Sequence, residues 1–192
     1  MREASASLAQ LRGLDEPYWL IVAVLTTGIM ERILGHHDDA LGHLREGHDL
    51  AERFDDAWLA AWSRVALGVL DVARSQLADA GVLLDEGLDR SLAAHSTSLV
   101  TLCLAAFARL SLAGGDAERA ALLTGATDGL RQRVGVHAWP MIRREEAELV
   151  ALVRETLGAA RFDQMFATGG RLSQQQAVAA LHDPRGAGAT AR

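Results

Sequence analysis

The chain has 192 residues, and its apolar fraction of 49% suffices for one compact domain or one array of small repeats. Its formal net charge is −6, so the chain as a whole is not attracted to phosphate backbones, and we expect no direct binding to nucleic acid. Lysine is absent, which excludes a P-loop lysine, and with it ATP hydrolysis at a Walker site, as well as a Schiff-base lysine.

The N-terminal part of the chain, residues 1–16, is interpreted as a lead-in to the first helix. At its end stand Asp15 and Glu16, followed by Pro17, and acidic residues with an early proline are typical of a helix start. A helix is therefore predicted from Pro17 to Leu34, with Gly35 ending it. Its apolar run, from Tyr18 to Met30, is shorter than the roughly 20 residues of a membrane span. We expect a buried helix and no membrane insertion.

Five more helices are predicted on the same plan, so that residues 17–134 form three helix hairpins. The last hairpin has a turn at Gly114-Gly115, followed by Asp116 as an N-cap. The pattern has few prolines and no strand-like alternation, which indicates an all-α fold. The predicted bounds are 38–53, 56–73, 78–92, 96–113 and 116–134.

The pattern changes after residue 134, and residues 135–182 are predicted to be capping helices at the end of the array. A connector at 136–139 precedes a helix from Pro140 to Gly158. A short helix from Ala159 to Ala167 follows, and Gly169-Gly170 is expected to break it. Ser173 and Gln176 form a capping-box pattern that starts the last helix, which ends near His182. The tail, residues 183–192, is predicted to be disordered.

Small residues recur along the three hairpins with a period of forty. A glycine inside a helix costs about 1 kcal/mol relative to alanine, so a recurring glycine indicates close approach of paired helices. A fixed period of this size is typical of stacked repeats. The series are Gly28, Gly68 and Ala108; Gly35, Ser75 and Gly115; Ala40, Ala80 and Ala120. Two more series, Leu44 with Leu84 and Gly47 with Gly87, are interrupted in the third copy by Thr124 and Thr127.

These series resemble the tetratricopeptide pattern of a small residue in the first helix, a glycine in the turn, then an alanine, a large apolar residue and a further small one. The stretch from Gly115 to Ala120 matches it best, and the resemblance covers residues 18–134. It implies a tetratricopeptide-like α-solenoid of about three antiparallel hairpins followed by a helical cap.

The C-terminal region resembles that of the large ATPase-type transcriptional regulators of high-GC bacteria, the LuxR/AfsR-like group, some of which carry a cyclase domain. The resemblance implies the isolated sensor or scaffold arm of such a regulator. The ATPase, cyclase and DNA-reading modules of that family are not visible in this sequence. The matching elements are Arg119-Ala120-Ala121-Leu122-Leu123, Gly125-Ala126, Leu157-Gly158, Arg161-Phe162, and Gly170-Arg171-Leu172-Ser173 with Ala177.

Two groups of side chains are candidates for contact with a partner or ligand. Trp58 and Trp62 are four residues apart on one helix face, although such aromatics more often belong to the core. Trp139, next to a proline, is the better candidate for partial exposure. The second group is a basic cluster that would meet an acidic partner or a phosphate, unless it pairs with the glutamates nearby. That cluster consists of Arg131, Arg133, Arg143 and Arg144.

The histidines between His36 and His48 are the densest set of potential metal ligands. A zinc site needs such side chains to converge tetrahedrally, and their spacing matches no established motif. We therefore favour a solvated turn and a polar helix face, with no metal. Cys103, the single cysteine, is expected to be a buried hydrophobe in a reduced cytoplasmic protein.

The leading hypothesis is a non-catalytic protein-interaction and regulatory scaffold whose concave face holds a protein partner or a second copy of the chain. No catalytic or cofactor-binding motif is present in the sequence, so we expect no enzyme activity and no cofactor. The alternative is a small-molecule sensor that encloses an apolar metabolite in the concave face.

Overall fold

The computed structural model describes residues 17–182, and the predictions for 1–16 and 183–192 lie outside them. The described residues form α-helices joined by turns and short connectors, without a strand, which confirms the all-α class. The helices are α1 (Pro17–Ile33), α2 (His37–Phe54), α3 (Ala57–Ala73), α4 (Leu77–Ala93), α5 (Thr97–Ala113), α6 (Ala117–Val134), α7 (Arg143–Leu157), α8 (Ala159–Gly170) and α9 (Gln174–Leu181).

The described residues divide into two compact units between His95 and Ser96, which are called the first unit (17–95) and the second unit (96–182). In the first unit α1 packs against α2, α2 against α3, and α3 against α4. In the second unit α6 packs against α5 and α8 and also contacts α7 and α9. The third hairpin, α5–α6, therefore shares a unit with the helices that the sequence assigned to a cap.

Glycines allow close helix packing in the first unit, as the repeat predicted. A Cβ atom added to Gly28 would lie 2.7 Å from Leu44 Cγ, and one added to Gly68 would lie 2.8 Å from Leu84 Cγ. Carbon atoms in contact are normally about 3.5–4.0 Å apart, so only glycine leaves room for these leucines. The first and second hairpins thus use the same contact forty residues apart.

Turns of one kind recur every twenty residues, which is half of the forty-residue period found in the sequence. A residue in the left-handed conformation ends a helix every twenty residues, and three of these six residues are not glycine. The glycine at 35 and the glycine at 115 adopt this conformation without the strain that a side chain brings. The six positions are Gly35, Asp55, Ser75, His95, Gly115 and Gly135.

Two predicted helix ends in the second unit are wrong. Helix α7 begins at Arg143 and not at Pro140, because residues 140–142 form a turn in which the Ile142 N–H donates to the Trp139 carbonyl over 3.0 Å. Helix α8 continues through Gly169-Gly170, where the sequence predicted a break. Gly169 is instead a packing residue, because a Cβ added to it would overlap the α6 backbone at Leu122.

The predicted caps are confirmed. The side chain of Asp116 accepts from the Arg119 N–H over 2.9 Å at the start of α6. Ser173 and Gln176 form the reciprocal pair of a capping box at the start of α9. Each cap supplies a partner to an amide that would otherwise lack one in the first turn.

Candidate binding site

The third hairpin departs from the packing of the first two at positions that face each other across the hairpin. In the first hairpin Leu25 fills the space beside Gly47, and in the second Val65 fills the space beside Gly87. Forty residues further on, these positions are Ala105 and Thr127. The large side chain of the pair is lost, and a threonine stands where the glycines were.

A second position changes in the same way. Leu44 and Leu84 pack against Gly28 and Gly68, and the corresponding residue of the third hairpin is Thr124. A threonine is smaller than a leucine, so this change also removes apolar volume from the hairpin. Ala108 in turn replaces the facing glycine, as Thr127 does in the other pair, so in both pairs the large side chain and the glycine give way to two residues of small or middle size.

The second unit contains a cavity of about 250 Å³ among α5, α6, α7 and α8. Ala105, Thr124 and Thr127, the residues that depart from the repeat, all line it. Both threonine hydroxyls donate to carbonyls of their own helix, Thr124 to Ala120 and Thr127 to Leu123. The remaining lining residues are Asp128 and Arg131 of α6, Phe166 of α8, and Arg143, Glu146, Ala147, Leu149 and Val150 of α7.

An ion pair joins α6 to α7 in the cavity wall. Arg131 Nη1 and Nη2 donate to the two carboxylate oxygens of Glu146 over 2.8 and 3.0 Å. The Arg131 side chain is 13% exposed and that of Glu146 is 19% exposed. The buried Arg131 Nε has no hydrogen-bond partner in the part of the chain that the structure describes. Both charges are thus neutralised within the wall.

Arg143 is the other cation of the cavity, and it is exposed. Its Nε donates to the Ala138 carbonyl over 3.0 Å, and its side chain makes no other hydrogen bond or ion pair with residues 17–182. The second exposed charge is Asp128, whose carboxylate accepts from the Gln132 amide over 2.8 Å. The guanidinium Nη groups of Arg143 are therefore available to a ligand.

The two other arginines of the predicted cluster do not line the cavity. Arg133 donates to the main-chain carbonyls of Gly170 and Leu172. Arg144 donates to Glu148 over 2.8 Å in an exposed pair on α7. The predicted basic cluster is thus divided, with two arginines at the cavity and two outside it.

The tryptophans do not form a joint surface. Trp62 is 2% exposed and belongs to the core of the first unit, where its ring centroid lies 5.5 Å from that of the half-buried Trp58. Trp139 is half-buried in the connector before α7. The core interpretation of Trp62 therefore holds, and none of the three residues lines the cavity.

The histidines are directed to different partners. His43 Nδ1 lies 2.7 Å from a Glu31 carboxylate oxygen, and His48 Nδ1 lies 3.0 Å from the Ser63 hydroxyl. Among residues 17–182, no group of three histidine, cysteine or acidic side chains is placed to hold a metal ion. His43 and His48 are therefore half-buried contacts between helices, which the predicted solvated face did not include. Cys103 is buried, as expected.

The stability of the first unit depends on pH through His48. Burial, and then the charge of Arg64, lower the pKa of His48 below its ordinary value of 6.5. The unfolded chain therefore binds this proton more readily than the folded one. The stabilising contribution is complete above pH 6.5, and it is lost as the pH falls through the lowered pKa of the folded state.

We expect the free energy of unfolding to fall between about pH 7 and pH 5, and to fall less in His48→Gln. Urea unfolding of both proteins across this range measures the difference. Glu52 does not disturb the comparison: its hydrogen bond from Arg64 lowers its pKa from 4.5, so its contribution is lost only below that pH. Equal slopes for the two proteins would contradict the prediction.

The sequence pointed to two cavity residues, Arg131 and Arg143, and missed the others. Thr124 and Thr127 were noticed as interruptions of the repeat, but their meaning was not recognised. Phe166 carried no signal, because nothing in the sequence places α8 against the third hairpin.

Comparisons with protein-family models, with curated proteins and with solved structures gave no match for this chain. Within residues 17–182, no helix combines the length and the apolar character needed to cross a membrane.

Proposed function

We propose that this chain is a non-catalytic protein-interaction module in which the helix hairpins stack as a tetratricopeptide-like solenoid. The proposal depends on one observation: among residues 17–182, an apolar face of α1 is left partly exposed, while the equivalent face of α3 is buried. The face of α1 consists of Trp19, Ala23, Thr26 and Met30, which we call the α1 stripe.

The α1 stripe follows helical spacing of four, three and four residues, so its members lie on one side of the helix. Trp19 is 58% exposed and Met30 is 40% exposed, while Ala23 and Thr26 are half-buried. Large apolar side chains exposed along one helix face are typical of an interaction surface. The positions forty residues later on α3, which are all buried, are Leu59, Ser63, Ala66 and Leu70.

Helix α2 packs against α3 and supplies partners to its polar groups. Ser63 on α3 meets His48 of α2, and Arg64 donates to Glu52 of α2 over 2.6 Å. The residue of α1 that corresponds to Arg64 is Val24, which is buried and apolar. A helix that binds the α1 stripe would therefore resemble α2, but it would not need an acidic side chain at the position of Glu52.

We assign the α1 stripe to a helix of a partner protein that carries an apolar ridge at spacing i, i+3 and i+4. Helix-in-groove binding of this kind makes and breaks no bond. The resemblance to bacterial ATPase-type regulators supports a regulatory role, in which an occupied array biases the activity of another domain in the cytoplasm. The negative net charge supports partners other than nucleic acid.

A fluorescently labelled, helix-stabilised peptide with the α2 sequence, residues 37–54, tests the assignment by anisotropy titration against the full chain. We expect saturable binding, and a loss of affinity of tenfold or more in Met30→Asp, because the variant places a charge on the apolar stripe. Val82→Asp is the matched control, because Val82 is 59% exposed on α4 and lies outside the stripe.

Equal affinity for Met30→Asp and the unchanged protein would contradict the proposal, and so would a peptide that does not bind. Light scattering adds a second outcome. A dimer that Met30→Asp dissociates would assign the stripe to a second copy of the chain and overturn the partner assignment. Circular dichroism checks that both variants remain helical.

A further inference from the structure

The cavity of the second unit is lined by positions at which the third hairpin departs from the first two. The first two hairpins fill the same positions with leucine or valine against glycine. The third replaces the large residues with Ala105 and Thr124, and both replacements line the cavity. Thr127 and Ala108 replace the glycines of the same two pairs, so the cavity lies where this altered hairpin meets α7 and α8.

The size and walls of the cavity limit what it can hold. An apolar cavity of about 150 Å³ in another protein binds benzene, so about 250 Å³ accommodates a ring with a short chain. Ala105, Leu149 and Phe166 provide apolar wall. The threonine hydroxyls donate to their own backbone and keep only acceptor capacity. The body of a ligand in this cavity would therefore be apolar.

The charged groups at the cavity select the polar end of the ligand. The Arg131–Glu146 pair is already neutralised, with both guanidinium Nη atoms engaged. Arg143 retains free Nη donors, and a planar guanidinium fits a carboxylate with two parallel hydrogen bonds. The nearby Asp128 carboxylate is exposed and accepts from Gln132, so water screens its charge.

We infer that this cavity binds a small apolar carboxylic acid, with its ring or branched chain among α5, α6, α7 and α8 and its carboxylate on Arg143. The site lies within the second unit and does not depend on the interaction function proposed above. Its ligand class follows from one free cation beside an apolar cavity.

Calorimetric titration with 3-phenylpropionate and with the neutral 3-phenylpropan-1-ol tests the inference. We expect a Kd of about 0.1–1 mM for the acid and an affinity about tenfold lower for the alcohol. Arg143→Gln should lower the affinity for the acid about tenfold and leave the alcohol unchanged. Arg144→Gln is the matched control, because Arg144 is the adjacent residue, is paired with Glu148 and does not line the cavity.

The double variant Ala105→Val with Thr124→Leu restores the side chains of the second hairpin. It should abolish binding of both probes, because the larger side chains fill the cavity. Its melting temperature is measured as well, because Ala108 and Thr127 stand where the second hairpin has Gly68 and Gly87. Ala147→Leu, at an exposed lining position, is a second filling variant should the double variant not fold.

Several results would overturn the inference. Equal affinity for acid and alcohol would remove the carboxylate assignment. An equal loss for both probes in Arg143→Gln would make Arg143 a structural residue. If neither probe binds, the inference is wrong. It is also wrong if binding survives in the filled variants, because the probes would then bind elsewhere.

Discussion

Gly169→Ala should destabilise the second unit by about 3 kcal/mol or more, whereas the same change at the adjacent Gly170 should have little effect. A Cβ added to Gly169 would overlap the backbone of α6, with the Leu122 carbonyl oxygen and the Ala126 nitrogen as its nearest atoms. Backbone atoms cannot move aside as a side chain can, so α8 would have to separate from α6.

Helix α6 also contributes glycines to its contact with α8. A Cβ on Gly125 would meet the Phe166 backbone, and one on Gly129 would meet the Gly170 backbone. The two helices therefore approach each other through glycine on both sides. Separating them to admit one methyl group would also loosen the packing at the other positions, which is why the expected cost exceeds that of an ordinary change in a core.

Gly170 is the matched control because a Cβ there would have only the Gly125 carbonyl oxygen nearby, at 3.7 Å, an ordinary contact. Urea unfolding followed by circular dichroism gives the two free energies. If Gly169→Ala and Gly170→Ala unfolded at the same urea concentration, the close approach of α6 and α8 would be contradicted. Gly42→Ala is a second control: nothing lies within 4 Å of its Cβ position in α2, and helix propensity predicts a gain of up to about 1 kcal/mol.

The sequence predicted the helices well where local chemistry determines their ends. Asp116 and Ser173 cap helices as expected, because an N-cap acts on amides within three residues of it. The repeated glycines of the first two hairpins also predicted their contacts, because Gly28 and Gly68 serve the same purpose at the same spacing.

Prediction failed where the determining contact is distant in the chain. In the sequence, the pair Gly169-Gly170 indicates the end of a helix. Only the position of α6 explains why α8 includes Gly169. Asp55 and His95 adopt the left-handed conformation without being glycine, so the sequence did not indicate the turns at these two positions. The cavity was missed because Thr124 signals a departure from the repeat, while the space left behind depends on α7 and α8.

Removing one partner of the Arg131–Glu146 pair should destabilise the second unit far more than removing both. Glu146→Leu leaves the guanidinium of Arg131 without its carboxylate in a position where the side chain is only 13% exposed. Breaking a buried pair in this way typically costs about 3–5 kcal/mol, and we expect the lower end because solvent reaches both side chains. Arg131→Met combined with Glu146→Leu should recover most of the loss, because no buried charge then remains.

Glu148→Leu is the matched control for the single variant. Glu148 lies two residues further along α7 and pairs with the exposed Arg144, so its loss should change stability little. Urea unfolding compares the proteins, and hydrogen exchange of the α7 amides shows whether the loss is local. If Glu146→Leu and Glu148→Leu behaved alike, the pair would not hold α7 in place.

The same variants separate stability from binding at the cavity. The ion pair joins α6 to α7, and both of its residues line the cavity, so a loosened α7 in Glu146→Leu would enlarge or open the wall. The double variant keeps an apolar wall of similar volume and leaves Arg143 in place. We therefore expect the double variant to retain affinity for 3-phenylpropionate while Glu146→Leu loses it, because the acid needs an ordered wall and the free cation of Arg143, but not the neutralised pair.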